Sequence, residues 1–265
     1  MKAAYSSEEA VRGVLDQPEQ TLPQPQVPWR LRDLGLALAW VAAAAILTSI
    51  VLAVIFIGPG STTVRDPLGE SKTEARDWTI PVALASSVLV EAAFLGSAVW
   101  FGARRYRRGW NVLGFCRPVR GWWTPVAVLF GAYLVLGVYV AIMELSGLTD
   151  LTPQSTLPED VFNNPFALPL AGVLALVAAP LAEETFFRGF LFPGLRNRWG
   201  TLRAALASGL LFALLHFNVG SIVPFTVIGM LLAWAYVVSG SLWMAIGAHF
   251  AFNAISFLIT VATGT

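Results

Sequence analysis

The chain has 265 residues, 56% of them hydrophobic and only 12% charged, with a mean hydropathy of +0.67. Soluble domains carry about 25% charged residues, so an ordinary soluble domain is excluded, and a net charge of +1 supplies no global attraction for nucleic acid. The single cysteine, Cys116, excludes an intramolecular disulfide and any Cys-paired metal site, and the only histidines are His216 and His249.

Residues 1–32 are polar and contain Pro18, Pro23, Pro25 and Pro28. They read as a disordered tail, too long and too uncharged at the start for a signal peptide. A membrane-crossing helix needs about 20 mostly apolar residues. Residues 34–57 meet that with no charge at all, 78–101 with Glu91 alone and 123–145 with Glu144 alone. These three spans form an N-terminal membrane part over residues 33–165. A second part, 166–261, holds segments 166–192, 202–219, 222–238 and 242–261, joined by short connections. The expected fold is an all-α polytopic bundle of about seven spans, or eight with a re-entrant or missed segment. No 20- to 50-residue repeat, phosphate loop or heptad pattern is present.

Basic residues sort unevenly among the connections. Four lie in the tail, six from Arg104 to Arg120 and three from Arg196 to Arg203, against three from Arg65 to Arg76 and none in 146–165. The positive-inside rule places the amino terminus in the cytoplasm, and seven spans then place the carboxyl terminus outside. The run Arg104, Arg105, Arg107 and Arg108 reads as this topology signal, with contact to anionic lipid heads as the alternative.

Ionisable side chains at membrane depth cost a few kcal/mol each on insertion scales, so each is a functional candidate. Glu183, Glu184, Arg188, His216 and His249 all fall within spans. Residues four apart share a helix face, which pairs Glu184 with Arg188, Phe212 with His216 and His249 with Asn253. Counted from the basic ends of their helices at about 1.5 Å per residue, the set lies roughly 12 to 20 Å deep, compatible with one cavity. Pro180 lacks an N–H and is expected to kink the wall beside it. Ala204, Ala205, Ser208 and Gly209 allow close helix approach. Duller readings stand beside these: a structural Glu184–Arg188 pair, core histidines, Phe186, Phe187, Phe190 and Phe192 as lipid-facing or packing bulk, and Glu144 reaching water. Glu91 joins the site, supports it or pairs with a neighbouring span.

The strings Glu183-Glu184-Thr185-Phe186-Phe187-Arg188, Phe212-Ala213-Leu214-Leu215-His216 and His249-Phe250-Ala251-Phe252-Asn253 resemble, in order, the E-E-x-x-x-R, F-x-x-x-H and H-x-x-x-N motifs of a known family. It is that of the CAAX prenyl proteases and bacteriocin-processing enzymes, or Abi proteins, which includes type II CAAX prenyl endopeptidases. The resemblance implies a membrane-embedded endopeptidase acting on a membrane-associated peptide, prenylated or bacteriocin-like. It implies Glu183 as general base, His216 as holder of the same water, and His249 with Asn253 as donors to the oxyanion. Glu184 and Arg188 then orient the base and its helix. The family is often labelled metalloprotease, and Glu183, His216 and His249 are the ligands a divalent ion such as zinc would use. A metal-free glutamate and water mechanism fits the same motifs and is the favoured expectation, with no cofactor. A non-catalytic immunity or peptide-binding protein and a proton-coupled transporter are the competing readings. The expected partners are the peptide substrate and the bilayer, without nucleic acid, and the expected location is a bacterial plasma membrane.

Cysteine labelling tests the topology. Probes near Arg105 and Arg198 should react from the cytoplasmic face and probes near Pro67 and Pro158 from outside; reaction near Pro67 from the cytoplasm contradicts the assignment.

Overall fold

In hydrocarbon every peptide group must find its partner within the protein, so long apolar runs become helices. The computed structural model describes residues 26–57, 61–65, 71–75, 79–153, 161–162 and 164–263. Residues 1–25 of the expected tail, and the positions Pro67 and Pro158, lie outside them. The elements are α1 (Leu31–Ile57), β1 (Ser61–Arg65), β2 (Ser71–Ala75), α2 (Thr79–Ser97, extended by a π-helical turn, Ala98–Arg104) and α3 (Thr124–Leu145). Then come α4 (167–199), α5 (201–214), α6 (Ile222–Ser239) and α7 (Leu242–Thr263). The architecture is helical as expected, apart from one antiparallel hairpin in which Ser61 faces Ala75 and Arg65 faces Ser71.

Six helices among the described residues are long and apolar enough to cross a membrane. One of them, Ala167–Leu214, has 48 residues, about 72 Å of helix and more than twice the roughly 30 Å of hydrocarbon. It cannot run straight, and it reverses at Gly200, whose φ of 75° and ψ of 173° are non-helical. Beyond the reversal the Phe212 ring returns to within 5.4 Å of the Phe187 ring, and the Ser208 hydroxyl donates to Phe187 O at 3.4 Å. The described residues thus form seven helical passes, with α4 and α5 as an antiparallel pair. The fifth pass is shorter than its sequence suggests: the helix ends at Leu214 rather than Val219, so α5 is about 21 Å long and His216 sits just beyond its end.

The outer surface of α1 exposes Leu36, Trp40, Ile46, Leu47, Ile50 and Val54, as a lipid-facing helix does. Phe186, Phe187, Phe190 and Phe192 are at most 1% exposed, so the lipid-facing alternative for them is wrong. They are the centre of the main core, with Phe94 5.1 Å from Phe186 and 5.7 Å from Phe187 between ring centres. Between apolar helices in lipid this interdigitation replaces the hydrophobic effect as the source of cohesion. Residues 26–30, at the end of the expected tail, pack against α4: Trp29 Nε1 donates to Phe190 O at 3.0 Å and Asn197 Nδ2 to Val27 O at 3.0 Å. Asp33, fully buried at the start of α1, accepts from Tyr106 Oη at 2.6 Å and from Arg30 N–H at 2.8 Å, with Arg105 Nε 3.3 Å away. That cluster ties the first helix to the loop after α2.

A second clasp sets where α7 begins. Leu242 N–H donates to Gly114 O at 2.8 Å, Ser241 Oγ to Cys116 O at 2.6 Å and Cys116 Sγ to Gly240 O at 3.0 Å. Burial pushes the Cys116 thiol above its ordinary range, so this cysteine is a structural donor. The clasp lies level with Gly189, where an added Cβ would stand 2.7 Å from Leu113 O and 3.4 Å from Leu242 Cδ2. Gly189 is eleven residues before the Gly200 reversal, so α7 starts about 16 Å deeper in the bundle than the tip of the α4–α5 pair.

Gly200 generates the prediction here. Its φ and ψ belong to a region that only glycine occupies readily, while an added Cβ would meet nothing within 4 Å. Gly200→Ala should therefore cost about 1–3 kcal/mol from backbone strain alone, read as a lower Tm in detergent. An unchanged Tm contradicts the reversal at this residue.

Candidate active site

Depth assembles the site. Glu183 lies seventeen residues before Gly200, about 25 Å along α4, and His216 sixteen after it, just past the end of α5 at about 21 Å. His249 is only eight residues into α7, but the deeper start of that helix brings it to the same level. The unequal depths counted from sequence are thus reconciled by the stagger of the helix ends.

The centre is one carboxylate. Glu184 is 0% exposed, and its Oε1 accepts from Arg188 Nη1 at 2.6 Å and from His249 Nδ1 at 2.9 Å. Arg188 is equally buried and reaches across to α6, where its Nη2 donates to Gly229 O at 3.1 Å. Its guanidinium lies over the Phe212 ring at 4.7 Å and the Phe187 ring at 5.6 Å, a further electrostatic attraction to the ring faces. Close approach of α5 and α6 permits this reach. A Cβ on Gly229 would stand 2.7 Å from Gly209 Cα and 3.2 Å from Arg188 Nη2, and one on Gly209 would stand 2.5 Å from Thr226 O. Ala204, Ala205 and Ser208 are buried on α5 as their size suggests. Gly229 completes the contact; it was missed because an isolated glycine in an apolar helix carries no positional signal.

The two histidines are held alike. His216 Nδ1 lies 2.8 Å from Phe212 O, and a carbonyl only accepts, so Nδ1 carries the proton and Nε2 is left free. His249 Nδ1 faces Glu184 in the same way. Both rings flank Phe212, at 4.8 and 5.7 Å between centres. With Asn253, Phe225 and Ile228 they line a cavity of about 30 Å³, room for one or two waters. Asn253 also donates from Nδ2 to Ala175 O at 2.8 Å. A far larger cavity, about 810 Å³ between α1 and α2, has no ionisable side chain in its lining, so size does not mark the site.

Glu183 is an electrostatic neighbour of Arg188. It is not in the lining of the histidine cavity, and its Oε2 is buried without a hydrogen-bond partner. Glu91 of α2 is its electrostatic neighbour, and the Oε2 of Glu91 is likewise buried and unpartnered. Of the expectations for Glu91, the structure places it beside Glu183, as joining or supporting the candidate site requires. For a divalent ion the geometry does not fit. No group of three His, Cys, Asp or Glu converges among the described residues.

Adjacent residues on a helix point about 100° apart, so the two glutamates meet different neighbours. They occupy a six-residue α-helical turn, Ala179–Glu184, between two π-helical turns, Leu174–Ala178 and Thr185–Leu191. Each π turn inserts extra backbone and re-aims the side chains beyond it, a feature frequent at functional sites.

Residues 165–255 match a family model described as Rce1-like, type II CAAX prenyl endopeptidase Rce1-like, and all three motifs fall inside that stretch. Over 87 residues the chain is 28% identical to a Bacillus subtilis (strain 168) protein named "Putative membrane peptidase YdiL". The aligned stretch is 33% of this chain and 36% of that relative, so the chain spans about a third of the relative's length. No solved structure matches the chain.

The trio of Glu184, Arg188 and His249 should be needed for folding. Glu184→Ala leaves the Arg188 charge buried and uncompensated, a loss of about 3–5 kcal/mol, and should lower both Tm and folded yield. Glu183→Gln, which breaks no hydrogen bond, should leave both near wild type. A Glu184→Ala protein of normal Tm contradicts the assignment.

Proposed function

We propose that the segment 165–255 is the catalytic unit of an intramembrane endopeptidase, which hydrolyses a peptide bond in a membrane-associated substrate of the CAAX or bacteriocin-like kind. The observation that carries this reading is the pair of histidines, each anchored through Nδ1 and both lining one water-sized cavity, inside the stretch that resembles type II CAAX prenyl endopeptidases. An oriented Nε2 holds a water or meets a developing oxyanion, and a core histidine needs neither.

Glu183 is the general base in this proposal. Its buried Oε2 lacks a protein partner, and water is the partner that satisfies a carboxylate at membrane depth. Glu183 does not line the histidine cavity, so catalysis requires it and His216 to meet on one water when substrate is bound, with His216 accepting from that water at Nε2. As the water attacks, Glu183 takes its proton, and the carbonyl oxygen gains the negative charge. To donate from Nε2, His249 needs a second proton, and Glu184 is the counter-ion in place for that imidazolium. The remaining amide hydrogen of Asn253 is the second donor to the oxyanion. The proton on Glu183 then passes to the leaving nitrogen. No step is routed through a metal, because no group of three such donors converges among the described residues.

Cleavage of a reporter peptide by purified protein in lipid nanodiscs tests the reading. Glu183→Gln should lower turnover by about 10²–10⁴-fold, the range for loss of a general base, while peptide binding persists. Binding without cleavage in the wild type favours an immunity or peptide-binding protein, and flux driven by a pH gradient favours a transporter. Activity that is lost on chelation and restored by zinc overturns the metal-free step.

A further inference from the structure

The role of Asn253 follows from counting the carbonyls of α4. Within the π turn Leu174–Ala178, Ala179 N–H reaches back five residues to Leu174 O. Carried forward one residue, the same register assigns Ala175 O to residue 180. That residue is Pro180, which has no N–H, and the preceding donor, Ala179, is already engaged at Leu174. Ala175 O is thus an acceptor without a backbone donor, a costly state in hydrocarbon. Asn253 Nδ2 fills the vacancy from α7 at 2.8 Å. It stands one helical turn after His249, and Pro180 stands three residues before Glu183.

We infer that Asn253 is a positioning residue: its amide supplies the hydrogen bond that Pro180 withholds from Ala175 O, and so fixes α7, with His249, against the turn of α4 that carries Glu183 and Glu184. The α4–α7 contact then has two ties, Glu184 to His249 and Ala175 to Asn253, on either side of the reacting groups. One tie alone lets α7 pivot about it; two set its rotation. The bond also fixes which way the remaining amide hydrogen of Asn253 points. The functional part of this inference rests on the proteolytic reading; the hydrogen bond does not.

The test is a double-mutant cycle in the full chain, with Tm in detergent and peptide turnover as separate readouts. Asn253→Ala should lower Tm by a few degrees. It should lower kcat with little change in KM. Pro180→Ala returns a backbone N–H to Ala175 O, so the same substitution in that background should cost less in Tm and about tenfold less in kcat, the factor one hydrogen bond supplies. Equal costs in both backgrounds overturn the inference and leave Asn253 as an oxyanion donor only. Where Pro180→Ala does not fold, Asn253→Leu decides on Tm alone. This near-isosteric change orphans the carbonyl and should lower Tm, and a Tm at or above wild type overturns the inference. A protein without any proteolytic activity defeats the proposed function but leaves the two Tm comparisons intact, so the two failures are told apart.

Discussion

One oxygen atom organises this bundle. Glu184 Oε1 accepts from Arg188 on its own helix and from His249 on α7, while Arg188 extends the unit to the backbone of α6. Any of these groups alone at membrane depth is several kcal/mol unfavourable. Together they form a neutralised unit that exists only when α4, α6 and α7 are in register, so the cost of separating them holds the helices at one relative depth. The glycine contact between α5 and α6 serves the same unit, since bulk at Gly209 or Gly229 pushes the Gly229 carbonyl out of reach of Arg188.

The irregular backbone of α4 follows a consistent logic. Carbonyls along its π turns and beside its proline accept hydrogen bonds from side chains of other segments. Asn253 serves Ala175, Ser208 reaches Phe187 and Trp29 serves Phe190. Every such bond links α4 to a segment distant in sequence. Irregularity within the helix is thus exchanged for tertiary connections, a form tolerated in hydrocarbon because each freed group is buried in protein. Glu183 and Glu184, adjacent on this helix, point different ways, so that one glutamate is fully committed to Arg188 and His249 while the other is left with an unpartnered oxygen. A pair with one bound and one unbound member suits a site in which one carboxylate holds geometry and the other handles a proton.

The sequence by itself determined the helical membrane class, because runs such as 34–57 are too long and too apolar for another outcome. It also determined the candidate set, because buried ionisable residues are costly enough to be conspicuous, and the spacing of four that pairs Glu184 with Arg188 is a local property of any α-helix. The tertiary structure alone decided what each candidate faces. The reversal at Gly200 turns one 48-residue helical run into two antiparallel passes, and the Gly114–Leu242 clasp sets the depth of His249; both act between residues far apart in the chain. The π turns of α4 were not legible either, because no residue pattern marks the change from i−4 to i−5 hydrogen bonding within the helix. Burial of the phenylalanine cluster was ambiguous for a related reason: core and lipid are equally apolar, so composition does not distinguish a side chain facing one from a side chain facing the other.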